Sequence, residues 1–168
     1  MPEHAGWFFD NVTLSNFALA GGLQVLTGRY RGHGFVTTQV LDELTRGVAA
    51  GYPSLAACLD LVDKGILRAV SLDRAEWKTF LQLVAHLGEG EAGTIAAAHR
   101  RDGIVVSDDL AARRTCADMG VRVTGTIGIL RAAVRDGDLS LADANGLLRK
   151  MIEAGFHSPV DHLTQAFD

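Results

Sequence analysis

Positive charge, lysine, cysteine and long apolar runs are all scarce in this chain, and each shortage removes a class of function. Lysine and arginine together number 16 against 20 aspartates and glutamates, a formal net charge of −4 over 168 residues. A protein that grips nucleic acid over its whole surface would carry the opposite balance. Local basic groups such as Arg100, Arg101, Arg113 and Arg114 could still meet phosphates, although a solvated helix face is the simpler reading of them. The lysines are Lys64, Lys78 and Lys150, and none follows a suitable strand, which disfavours a phosphatase or receiver-type acidic site. Gly, His, Arg or Asp interrupts every hydrophobic segment before it could span a bilayer, and the first residues lack the basic start of a secretion signal. A cytoplasmic protein with no membrane association is therefore expected. Cys58 and Cys116 lie in helical patterns, so buried free thiols are expected rather than a disulfide or a zinc site. The histidines form no His-x-x-His or Glu-x-x-His cluster, and the glycines at 21–22 and 88–90 are not followed by Lys-Ser/Thr, so no phosphate-binding P-loop is present.

What the chain does have is 48% hydrophobic residues, enough for one real core. A single domain over residues 1–168 is expected, with 137–168 as a helical C-terminal extension that either closes the core or receives a partner helix. Trp7-Phe8-Phe9 reads as a strand ending at Asp10, followed by Leu14, Phe17 and Ala18 at helical spacing. Gly34 to Thr37 is a second strand, leading into a helix that starts at Thr37 or Thr38. Further helices are expected from Pro53-Ser54 to near Gly65, over 73–87, over 92–101, over 110–119, over 129–134 and over 139–156. Strands are expected at Ile66–Leu72, Ile104–Ser107 and Val121–Thr124. Strands alternating with helices imply an α/β fold, a three-layer α/β/α arrangement around a parallel sheet.

In such a sheet ligands gather at the carboxyl ends of the strands. Asp10 and the pair Asp108-Asp109 each follow an expected strand directly. Helix phase, about 100° per residue, adds two more acids. Glu43 borders the apolar stripe of Val40, Leu41, Leu44 and Val48, whereas Asp42 falls opposite it; Glu91 shares a face with Ala92, Ile95 and Ala98, and Glu89 does not. Two like charges held about 6 Å apart cost roughly 3 kcal/mol even at an effective dielectric near 20. A cluster of such acids needs compensation, and a hard divalent cation with oxygen ligands supplies it. Phase does not separate Asp108 from Asp109. Simple capping, with Ser107 or Asp108 as N-cap and Asp109 in the first turn, explains that pair as well.

Taken together these segments resemble the PIN-domain family. Asp10-Asn11-Val12-Thr13-Leu14 is similar to its opening motif, and Val40-Leu41-Asp42-Glu43-Leu44 to its second acidic motif. Gly88-Glu89-Gly90-Glu91-Ala92, Val106-Ser107-Asp108-Asp109-Leu110 and Val123-Thr124-Gly125-Thr126 resemble a PIN-like branch with a Gly-Glu-x-Glu-Ala segment and a Thr-Gly-Thr turn. The resemblance spans Asp10 to about Gly155. It implies a Mg²⁺- or Mn²⁺-dependent endoribonuclease with Asp10, Glu43, Glu91 and Asp109 as metal-binding acids and Asp108 as substitute or supplement. It also implies an RNA substrate, an antitoxin partner and a homodimer. Ser107, Arg113 and Thr126 are the expected substrate contacts, with strand-end capping as the plain alternative for Ser107 and Thr126. The opening motif has Asn11 and Val12 where the family usually has Thr then Ser or Asn, leaving Asn11 or Ser15 to support the metal-side carboxylates. A non-catalytic PIN-like scaffold is the alternative function.

Overall fold

Neighbouring residues of a strand point to opposite sides of its sheet, and in this chain that alternation builds two cores. The computed structural model describes residues 5–164. Phe9 and Val106 turn to one side and Phe8 and Val105 to the other, all buried. The strands are β1 (Trp7–Phe9), β2 (Gly34–Thr37), β3 (Leu67–Val70), β4 (Ile104–Val106) and β5 (Arg122–Thr124). They form one parallel sheet in the order β3-β2-β1-β4-β5. β1 is central, in register with β4 through Trp7–Ile104, Phe8–Val105 and Phe9–Val106.

The helices are α1 (Asn11–Leu19), α2 (Leu23–Tyr30), α3 (Thr38–Ala49), α4 (Ala56–Asp63), α5 (Arg74–Leu83), α6 (Glu89–Arg100), α7 (Leu110–Met119), α8 (Thr126–Arg135) and α9 (Leu141–Glu153). The Phe9 face is covered by α1, α2, α3, α4, α8 and α9, through residues such as Leu14, Phe17, Leu26, Leu44, Leu130 and Leu148. The Phe8 face is covered by α5, α6 and α7, where Ala92, Ile95, Ala96 and Ala98 let α6 lie close to the sheet. The result is the expected three-layer α/β/α fold. α9 belongs to the core, because Ala144, Leu148 and Met151 are buried in it; the chain after Glu153 has no regular structure as far as Thr164. The ends of the expected 1–168 domain, residues 1–4 and 165–168, lie outside the described residues. No helix among the described residues is long and apolar enough to cross a membrane.

Three local expectations are corrected, and one helix, α2, was not expected. α2 carried no strong amphipathic signal: it is short, starts at Gly22 without a side-chain cap, and contains Gly28. The segment opened by Pro53 begins as a 3₁₀ turn, Pro53–Leu55, and becomes α-helical only at Ala56. The strand expected over Ile66–Leu72 pairs only over Leu67–Val70, as an edge strand with one neighbour. The helix expected over 73–87 ends at Leu83.

Candidate functional site

The chain runs outward from β1 to β2 and β3, then returns to lay β4 and β5 on the other side of β1. The carboxyl ends of β1 and β4 therefore flank a switch point, where the outgoing connections diverge and leave a crevice. Asp10 leaves β1 into it and Ser107-Asp108-Asp109 leave β4 into it.

Asp10 is buried at 2% exposure. One oxygen caps α1 by accepting from the Thr13 amide at 2.8 Å, and the other accepts from the Ser107 hydroxyl at 2.5 Å. Burial lifts its carboxyl to about 6; the Ser107 and Thr13 hydrogen bonds pull the other way, and the charge of Asp108 adds to the rise. Ser107 Oγ also accepts from the Asp109 amide at 3.2 Å, so one buried hydroxyl links the ends of β1 and β4.

The two neighbouring aspartates separate by what they touch. Asp108 Oδ1 accepts from the Thr126 amide at 2.9 Å, and Oδ2 accepts from the hydroxyls of Thr126 (2.5 Å) and Thr13 (3.3 Å) and from Asn16 Nδ2 (3.4 Å). A side chain on Gly125 would collide with Asp108 Oδ1, so glycine is required there for this contact. Asp109, not Ser107 or Asp108, is the N-cap of α7: its Oδ1 accepts from the Ala112 amide at 2.8 Å. Its Oδ2 accepts no hydrogen bond from the described residues.

The two glutamates that helix phase singles out are less exposed than their acidic neighbours. Asp42 and Glu89 are exposed, while Glu43 and Glu91 are half-buried. Glu43 reaches from α3 to the start of α6, where its Oε1 accepts from the Gly90 amide at 2.9 Å and its Oε2 from Asn11 Nδ2. α6 has no side-chain N-cap of its own, so Glu43 complements the positive end of that helix. Any Cβ at position 90 would occupy the space of the Glu43 carboxylate, which explains the glycine between the two glutamates. The Glu91 carboxyl is raised above its ordinary range by burial first, then by the charges of Glu43 and Asp109.

Of the remaining expected site residues, Thr126 and Ser107 are buried, with their hydroxyls donating to Asp108 and Asp10. Both hydroxyls are engaged with carboxylates, Ser107 with Asp10 and Thr126 with Asp108. Arg113 is half-buried; its Nη1 donates to the Ser107 carbonyl at 3.1 Å, and it lines a cavity beside Asp108. Asn11 supplies the amide support expected of Asn11 or Ser15, while Ser15 donates to the Asn11 carbonyl and Val12 faces outward. Thr13 and Asn16 were not singled out by sequence reading. Their signal was two polar residues one turn apart, sharing a helix with the buried Leu14 and Phe17.

The donor set at the crevice is made of oxygens alone, which suits a hard cation such as Mg²⁺ or Mn²⁺. Among the described residues, no lysine or arginine forms a salt bridge with Asp10, Glu43, Glu91, Asp108 or Asp109. As the side chains stand, no group of three metal-ligating residues among the described ones is closed around an ion position. Asp10, Asp108 and Glu43 use both oxygens on protein donors, whereas Asp109 keeps one oxygen unengaged.

The comparisons agree with this architecture. Among solved structures, a chain from the crystal structure of VapBC2 from Rickettsia felis bound to a DNA fragment from their promoter is similar, with a TM-score of 0.50 at 12% sequence identity. The match covers 71% of this chain and 98% of that one, and at that identity it speaks for the fold. No curated protein matches the sequence. A family model described as a PIN domain matches residues 7–168, and the chain therefore belongs to the PIN-domain family.

Proposed function

We propose that the protein is a Mg²⁺- or Mn²⁺-dependent endoribonuclease and the toxin half of a toxin–antitoxin pair. One observation carries this reading: acids lie at the carboxyl-end crevice with no lysine or arginine among the described residues salt-bridged to them, Glu91 feeling the charges of Glu43 and Asp109 and Asp10 that of Asp108. Burial first, then neighbouring charge, pushes the carboxyls of Asp10 and Glu91 upward, the charge coming from Asp108 at Asp10 and from Glu43 and Asp109 at Glu91. Asp10, Glu43, Glu91 and Asp109 would hold the cation, which when bound would supply Lewis acidity toward water and the phosphodiester. The chain's own contribution is positional. Ser107 orients Asp10, Asn11 orients Glu43, and the α7 cap orients Asp109. Asp108 is a staple in this reading: through Thr126, Thr13 and Asn16 it ties the end of β4 to α8 and α1.

The family resemblance supports an antitoxin as partner and a homodimer as the working form. Val12, Leu19 and Tyr52 are large exposed apolar residues near the crevice, and Leu19 and Tyr52 line a shallow cavity with Asn11 and Glu43, so a partner seated there would border the acids. The test is cleavage of a panel of RNAs in Mn²⁺. Asp10→Asn is expected to lower the rate by at least ~100-fold, the scale of losing a group that acts on transition-state charge, while circular dichroism stays unchanged. Equal cleavage by that variant, or by the wild type in EDTA, sinks the mechanism. A chain that neither cleaves nor binds Mn²⁺ would be the non-catalytic scaffold instead.

A further inference from the structure

Beyond Asp108, away from the four acids, the surface changes sign. A cavity of about 700 Å³ opens between the starts of α7 and α8 and the segment following α9. Arg113 of α7 and Arg131 of α8 line it, together with Phe156 and His157 of that segment. None of the two arginines and the histidine forms a salt bridge with a described residue. The one acid among the lining residues is Asp108, whose oxygens are already occupied by Thr126, Thr13 and Asn16. Arg113 is held in place by its bond to the Ser107 carbonyl. The far wall is held too, since the Phe156 amide donates to the Met151 carbonyl at 2.9 Å and Ser158 Oγ donates to the Val160 carbonyl at 2.5 Å.

We infer that this cavity is a channel for the backbone of single-stranded RNA, with phosphates on Arg113, Arg131 and His157 and a base against Phe156. The inference rests on the nuclease reading above. A phosphodiester brought to a group of carboxylates is repelled by them, so the strand needs cationic anchors outside the acid group but within a nucleotide or two of it. On a chain of net charge −4, the two arginines that line the cavity with Asp108 meet that need locally. Unpaired strands combine phosphate contacts with aromatic stacking, and this cavity offers both in one place. Its walls are a helix start on each side and an irregular segment, a shape suited to one strand.

The experiment is fluorescence anisotropy with a short labelled single-stranded RNA of mixed sequence, in EDTA so that nothing is cleaved. Arg131→Glu is expected to weaken binding ~10-fold and to flatten the slope of log affinity against log salt by about 0.7 to 1, the signature of one lost phosphate contact. Arg131→Lys is expected to restore most of the affinity, and Phe156→Leu to lose part of it with little change in salt slope. Arg135→Glu, on the same helix but not lining the cavity, is expected to bind as wild type; thermal melting checks that each variant is folded. Wild-type affinity in Arg131→Glu overturns the channel, as does an equal loss in Arg135→Glu. If Arg131→Glu instead abolishes association with a co-expressed partner protein and leaves RNA affinity intact, the surface is a protein site and the inference falls. A wild type that cleaves RNA in Mn²⁺ while Arg131→Glu keeps both affinity and KM refutes the channel and leaves the nuclease reading standing. Arg131-dependent binding without any cleavage does the reverse.

Discussion

Two acids of this chain, Glu76 and Asp10, are almost equally buried, at 1% and 2% exposure, yet the protein treats them in opposite ways. Glu76 sits in a capping box with Asp73 at the start of α5 and receives Arg101 in a two-pronged contact, Nε to Oε1 at 2.7 Å and Nη2 to Oε2 at 2.9 Å. Every demand of that carboxylate is met from within the chain. Asp10 has two hydrogen bonds and no counter-charge, and its nearest charged influence is another aspartate. A buried acid with its arginine holds structure together. One left without a cation, and beside a second aspartate, is pushed toward its protonated form.

The largest effect is expected on the satisfied side. Arg101→Met leaves Glu76 buried without its partner, and urea unfolding should show a loss of about 3 kcal/mol, the low end for a broken buried pair because the Arg101 side chain is 34% exposed. A loss below about 1 kcal/mol, the range of a surface pair, would erase the contrast.

On the unsatisfied side the expected effect is a pH dependence of opposite logic. Asp10 has a folded-state pKa of about 6 against 3.8 for an unperturbed carboxyl, so between those values the folded chain keeps a proton that the unfolded chain has lost. Its contribution to stability is fully present below about pH 4 and is lost as pH rises through 6, a change of up to about 3 kcal/mol in EDTA. Asp10→Asn should remove this slope and make the metal-free protein more stable at pH 8 by about 1–2 kcal/mol, whereas Glu76→Gln should destabilise it. Equal signs for the two substitutions would show that burial alone, not pairing, decides the outcome. Adding Mn²⁺ to the wild type at a hundred times its dissociation constant should raise stability by about 2.7 kcal/mol. Differential scanning calorimetry should see no such rise in Asp10→Asn.

The features legible in the sequence were those governed by short-range periodicity. The β-branched run at Ile104–Val106 and the aromatic run at Trp7–Phe9 gave the two central strands, and 100° phasing chose Glu43 over Asp42 and Glu91 over Glu89. Phase could not divide Asp108 from Asp109, because both lie where strand gives way to helix and neither has a fixed face. The division is made by Thr126, eighteen residues downstream, which reaches Asp108 only after β5 has paired with β4. Likewise Gly90 reads as an ordinary helix-start glycine until α3 brings Glu43 against it. α2 stayed hidden because its helical state is set by packing of Val25, Leu26 and Tyr30 into the core and not by its own amphipathic pattern.

The strand order has a consequence for the timing of synthesis. β1 is made first, but the neighbour that completes the crevice, β4, is made only after β2 and β3, which belong to the other flank. A nascent chain that has not been extended past Asp109 carries Asp10, Glu43 and Glu91 without the strand that faces them, and the staple from Asp108 must wait further, for Thr126. The acidic crevice is thus completed only once β4 follows β1, β2 and β3 in the chain, and its Asp108 staple later still.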